Sequence, residues 1–124
     1  MRILDIFYEP LDSGIGFVRL KGRLDIPGVQ EIDLRFTTFT ATRRKPVIVD
    51  LSEVTMITSM GLAMLITNAK SLRTLGLPMI LLSPIPQTEK VIKMSALDEI
   101  LPIEHDFDTA VQKIKELSVS KESR

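Results

Sequence analysis

Three side chains combine reactive types with patterned surroundings: Ser59, Asp25 and His105. Ser59 lies in residues 47–65, VIVDLSEVTMITSMGLAML, where a β-branched apolar run passes into a polar connector and then into small apolar residues. That order reads as a strand, a loop and a helix beginning at or next to Ser59. The first N–H groups of a helix are unpaired and together carry roughly half a positive charge. Anions are favoured there. A phosphate on Ser59 would add about −1.5 to −2 charge and invert the local surface potential without unfolding the helix. Plain N-capping, worth about 1 kcal/mol, is the competing reading of the same serine. Asp25, in GRLDIP, precedes a second helix. It reads either as a cap ahead of Pro27 or as a member of the same site, because loops at one edge of an open α/β sheet converge. A hydrolase built on Ser59 would need a base, and His105 is the one histidine. It falls after the last strand, and the GxSxG nucleophile elbow is absent. No Gly-rich phosphate loop follows a strand, since Gly14-Ile15-Gly16 belongs to a hairpin. His105 therefore reads as a surface or loop residue near Asp106, and an enzyme is not expected.

Composition narrows the field further. The chain has 124 residues, the size of one domain, with 44% hydrophobic and 26% charged residues, an ordinary globular mixture. Sixteen Lys and Arg balance sixteen Asp and Glu, which argues against a general nucleic-acid binder and against attraction to an anionic membrane. Without cysteine there are no disulfides and no thiolate sites. One histidine and no acidic cluster leave no expected metal site and no expected cofactor. The apolar runs are too short to span a bilayer, and MRILDIFYEP lacks an apolar signal core, so a cytoplasmic protein is expected.

The elements that position these residues follow from periodicity. Residues 3–8 and 15–20 read as strands joined at Asp12-Ser13-Gly14. From Val29 the period changes: Val29, Ile32, Phe36 and Phe39 mark a core-facing helix stripe rather than a ligand site, and Pro46 ends the segment. Arg43-Arg44-Lys45 just before it reads as a solvated helix end, with contact to an acidic partner as the alternative. Residues 46–51 form a buried strand and residues 53–58 a connector. Leu62, Leu65, Ile66, Ala69 and Leu72 mark the second helix, closed by Gly76. Residues 79–82 are a strand, 86–94 a third helix with Val91 and Met94 inward, and 101–103 a short strand. Asp106 caps a last helix whose core face is Ala110, Val111, Ile114 and Leu117. The order β-β-α-β-α-β-α-β-α implies an α/β fold: a mixed, mostly parallel sheet of four to five strands with about four helices and right-handed crossovers. If Leu62, Leu65 and Ile66 face the sheet, then Met60, Gly61, Ala63 and Met64 face elsewhere. They would form a flexible apolar patch beside Ser59, of the kind used in adaptable docking.

These residues resemble a known family. Gly22-Arg23-Leu24-Asp25 resembles the GxLD element of STAS domains, and residues 47–62 resemble their strand, loop and helix signature, VxLDLSxVxxIDSSGL. The element order agrees through the late SALDEILPI segment, so the resemblance covers residues 1–118 as one STAS-like domain, with 119–124 expected to be a disordered tail. Its stand-alone members are anti-sigma factor antagonists, and the chain is similar to that kind. The resemblance implies binding to an anti-sigma factor serine kinase in a partner-switching cycle. The kinase phosphorylates the antagonist and a PP2C-type phosphatase restores it. The phosphorylated serine falls on Ser59, the motif glycine and leucine on Gly61 and Leu62, and the motif acid on Asp25. The implied partner-binding residues are Asp25, Thr58, Ser59, Met60, Gly61, Leu62 and Met64. Two positions depart from the pattern. Thr58 stands where an acid commonly precedes the phosphoserine, which makes it the second-choice phosphoacceptor, and Met60 replaces the second serine. The alternative is a non-phosphorylated STAS interaction subunit of a transporter or signalling complex. A monomer or weak dimer is expected, with no direct nucleic-acid contact and no membrane insertion.

Overall fold

The turn at Asp12-Ser13-Gly14 closes through Gly14 N–H to Leu11 O (3.2 Å) and Leu11 N–H to Ile15 O (2.8 Å), with Gly14 at φ +78°. It sends strand β1 (Leu4–Pro10) antiparallel against β2 (Gly16–Leu24). In the computed structural model, which describes residues 3–95 and 100–122, three further strands add in parallel. They are β3 (Val47–Ile57), β4 (Met79–Leu82) and β5 (Ile103–Glu104), in the order β1-β2-β3-β4-β5. Between them run α1 (Ile26–Phe39), α2 (Ser59–Arg73) and α3 (Pro86–Met94), and α4 (Phe107–Glu122) closes the chain. The mixed, mostly parallel sheet with four helices is the expected architecture. Ala96–Glu99, within the SALDEILPI segment, lie outside the described residues, as do residues 123 and 124.

Side-chain alternation divides the core between the sheet faces. One face, with Leu4, Val18, Leu20, Val49 and Leu51, packs against Ile32 and Phe36 of α1, Leu65 and Leu72 of α2 and Ile92 of α3. The other face presents Ile15, Ile48 and Ile80 to Ala110 and Ile114 of α4. A strand buried on both faces needs a continuous apolar run, which is why Val47-Ile48-Val49 has no polar member. Full burial of one such side chain is worth about 1.5–3 kcal/mol.

Several boundaries differ from the sequence expectation. Helix α1 starts at Ile26 rather than Val29. Proline is tolerated in a first turn, where its missing N–H has no partner to lose, so Pro27 lies inside the helix. Residues 53–57 are not a connector but the second half of β3. Gly76 does close α2: Leu77 N–H bonds Leu72 O and Gly76 N–H bonds Arg73 O around its positive φ, a Schellman arrangement. On α3, Val91 and Met94 are exposed, and the helix buries Ile92 and Thr88 instead. Thr88 reaches the interior because its hydroxyl donates to Ile85 O at 3.0 Å. Asp106 caps α4 through Thr109, but Leu117 stays exposed. α4 remains helical to Glu122, through part of the segment that reads as a polar tail.

Candidate functional site

The ends of β2 and β3 bring the two motif elements together. Leu24 O accepts both the backbone N–H of Thr58 (3.0 Å) and its hydroxyl (3.2 Å), so GRLD and ITSMGL lie side by side. Helix α2 then starts at Ser59 and packs directly on β2. A Cβ added to Gly61 would lie 2.6 Å from Leu24 O and 2.9 Å from Leu24 Cβ. No side chain but hydrogen fits there, which is the physical content of the glycine in SMGL.

Asp25 opens the second side of the site. Its Oδ1 accepts Gly28 N–H at 2.9 Å and caps α1, while Oδ2 accepts Arg23 Nε–H at 2.8 Å. The Arg23 hydrogen bond and then the Gly28 N–H hold its carboxyl below the usual aspartate range. The turn is tight, because a Cβ on Gly28 would lie 2.1 Å from Arg23 O. Asp25, Ile26, Pro27, Thr58, Ser59, Met60 and Ala63 line one shallow concavity of about 420 Å³. The expectation that the GxLD loop and Ser59 converge is thus met in space.

Ser59 is exposed, and among the described residues no hydrogen bond engages its hydroxyl. Thr58 occupies the N-cap position without capping, because its hydroxyl is committed to Leu24 O. The first turn of α2 carries no acid, so its unpaired N–H groups are not neutralised by a neighbouring side chain. The expected apolar patch is smaller than the sequence suggests. Met60 is 45% exposed and Ala63 is exposed, but Gly61, Leu62 and Met64 are buried, Met64 to 5%. Met64 and Gly61 were expected to face away from the sheet. They are buried because α2 packs against α1 as well as the sheet, which widens its buried stripe to include Gly61, Leu62, Met64, Leu65 and Asn68. Ile26 and Pro27 extend the patch instead. Their only signal in the sequence is their place directly after Asp25.

His105 does not join this site. Its Nε2 lies 2.7 Å from Glu89 Oε1, and Glu89 also pairs with Lys93 at 3.0 Å. The hydrogen bond from His105, then that from Lys93, pulls the Glu89 carboxyl below its usual range. His105 is engaged with Glu89, and among the described residues no side-chain base hydrogen-bonds the Ser59 hydroxyl. No cluster of three His, Asp or Glu among the described residues is arranged to hold a metal. No helix among them is long and apolar enough to cross a membrane.

The family model for the STAS domain matches residues 10–110. The chain belongs to the STAS domain family. No curated protein sequence is significantly similar to it. Among solved structures, this STAS domain is similar to an anti-sigma factor antagonist from Mycobacterium paratuberculosis, with TM-score 0.77 and 23% identity over 90% of this chain and 94% of that one. It is also similar to the Bacillus cell fate determinant SpoIIAA in its phosphorylated form, with TM-score 0.67 and 20% identity over 89% and 99% of the two chains. Murine solute carrier 26 family member A9, an anion transporter, contains a similar region, with TM-score 0.69 and 14% identity over 94% of this chain and 22% of the transporter. At these identities the likeness is one of fold.

Proposed function

We propose that this STAS domain is an anti-sigma factor antagonist. It binds an anti-sigma serine kinase when Ser59 is free and is ejected when the kinase phosphorylates Ser59. A PP2C-type phosphatase reverses the step, and the cycle takes place in the cytoplasm. One observation carries the reading: an exposed, unengaged serine hydroxyl opens α2 and shares a concavity with the Asp25 loop and the exposed Met60. Stand-alone antagonists of similar fold, one of them solved in a phosphorylated form, support it.

The switch needs only electrostatics and desolvation. In the free state Ile26, Pro27, Met60 and Ala63 offer an apolar docking face with Asp25 and Thr58 at its edge. A phosphate adds about −1.5 to −2 charge at its centre. Burying that charge against an apolar partner costs several kcal/mol unless a cation meets it. Thr58 is the poorer acceptor, since phosphorylating it would break its bond to Leu24 O. Gly61, Leu62 and Met64 act from beneath the surface, setting the position of the first turn.

Co-expression with the cognate anti-sigma kinase, followed by mass spectrometry, tests the assignment. Phosphate is expected on Ser59. Met60 and Thr58, which stand where the family pattern has a serine and an acid, favour a second reading as a constitutive interaction subunit. Absence of phosphate from both Ser59 and Thr58 would support that alternative.

A further inference from the structure

Charge is unevenly distributed along this neutral chain. Between Asp33 and Glu89 the sequence holds six cations, Arg35, Arg43, Arg44, Lys45, Lys70 and Arg73, and only two acids, Asp50 and Glu53. Both acids lie on β3, and Asp50 is paired with Arg19 at 3.1 Å. Most of the cations gather where α2 ends and β3 begins. Helix α2 has 15 residues, so this end lies about 22 Å from Ser59.

The last turns of α2 form a ridge between two hollows. On one side Ala41, Arg44, Lys70, Ser71, Thr74 and Leu75 line a concavity of about 500 Å³. On the other, Arg73 and Lys113 flank a groove of about 460 Å³ whose apolar lining includes Leu77, Pro78 and Leu117. Among the described residues no carboxylate pairs with Arg44, Lys70, Arg73 or Lys113. Helix capping does not account for the set. The carbonyls of Lys70, Ser71, Leu72 and Arg73 already accept bonds from Thr74, Leu75, Gly76 and Leu77. Arg44 lies beyond the helices in a left-handed conformation, and Lys113 is in the middle of α4.

We propose that this end of α2 is a second docking surface, and that its partner is an acidic amphipathic peptide segment of another protein. Carboxylates of the segment meet Arg44, Lys70, Arg73 and Lys113, while its apolar side chains rest on Leu75 and enter the Leu77–Leu117 groove. Charge complementarity selects the occupant. A membrane surface fits less well, because the apolar side chains line a concavity rather than form a raised face. Nucleic acid would gain nothing from an apolar groove. The distance from Ser59 exceeds two Debye lengths of about 8 Å at physiological salt, so phosphorylation leaves this surface unchanged.

The test uses the full chain and a fluorescent synthetic helical peptide with glutamates along one face and leucines along its edge. Binding is read by anisotropy at physiological salt. The pairs Arg44→Glu with Lys70→Glu, and Arg73→Glu with Lys113→Glu, are expected to weaken it by about tenfold or more. All four positions are exposed, and thermal melts check that the variants fold. A peptide with serine in place of leucine is expected to bind more weakly, and Ser59→Asp is expected to bind like wild type. Unchanged binding by the charge-reversed variants would overturn the proposal, as would equal binding of the leucine-free peptide. Tighter binding to phosphatidylglycerol vesicles or to duplex DNA than to the peptide would overturn it as well.

Discussion

Gly61 sets how closely the start of α2 approaches β2, and Asp25 caps α1 on the other side of the same concavity. Alanine inside a helix usually gains roughly 1 kcal/mol over glycine. At Gly61 the sign should reverse, because the new methyl would meet Leu24 O and Leu24 Cβ inside 3 Å. Overpacking of this kind costs about 1–3 kcal/mol, so Gly61→Ala is expected to lower the urea midpoint and to displace the first turn of α2. Asp25 gives a pH-dependent test. Its carboxyl is held below the ordinary value of 3.8 by Arg23 and by the Gly28 N–H. Above that value it is charged in the folded and the unfolded chain, and its contribution is complete. As pH falls further the unfolded chain takes up the proton first, and the contribution is lost through the folded-state pKa. The stability gap between wild type and Asp25→Asn should therefore be full at neutral pH and close on acidification below about pH 4, as followed by urea titrations. Ser59 and Asp25 were both legible as candidates, because each combines a reactive type with a helix start. Arg23, which engages the outer oxygen of Asp25, carried no comparable signal: one arginine within a strand has nothing to mark it.

The element that positions the site is β3, whose second half was hidden in the sequence. Leu51, Val54 and Ile57 are buried at intervals of three, which is not the period of a strand. The register explains this. Arg19 lies opposite Asp50 but Lys21 opposite Glu53, and Gly22 lies opposite Val54 but Arg23 opposite Met56, so β3 gains an extra residue twice. Each irregularity shifts the alternation by one position, and the buried set recurs every third residue. Ile57→Ala should cost about 2–5 kcal/mol and loosen the start of α2, visible as faster amide exchange at residues 62–65, where the intrahelical bonds begin with Leu62 N–H to Thr58 O. Thr58→Val should cost about 0.5–1.5 kcal/mol, the worth of its hydrogen bond to Leu24 O, while leaving Ser59 a kinase substrate. β4, the first half of β3 and most of the amphipathic α4 were readable because each has one clear apolar pattern. The faces of α2 were not: in MGLAMLI every residue is small or apolar, so periodicity does not distinguish Met60, which is exposed, from Met64, which is buried.

At the scale of the molecule, neutrality conceals polarity. The apolar face around Ser59 and the basic face at the far end of α2 lie at opposite ends of one helix. The composition contains sixteen charges of each sign but does not reveal this separation, which arises only when the short turn Ala41–Arg43 and the end of α2 fold together. The most direct test of the central claim is the affinity of the cognate anti-sigma kinase for the chain with Ser59 free and with Ser59 fully phosphorylated, measured by calorimetry beside Ser59→Ala. The account predicts that Ser59→Ala binds like the free form and that the phosphorylated form binds at least about tenfold more weakly, a difference of roughly 1.4 kcal/mol or more. Equal affinity of the free and phosphorylated forms would contradict it.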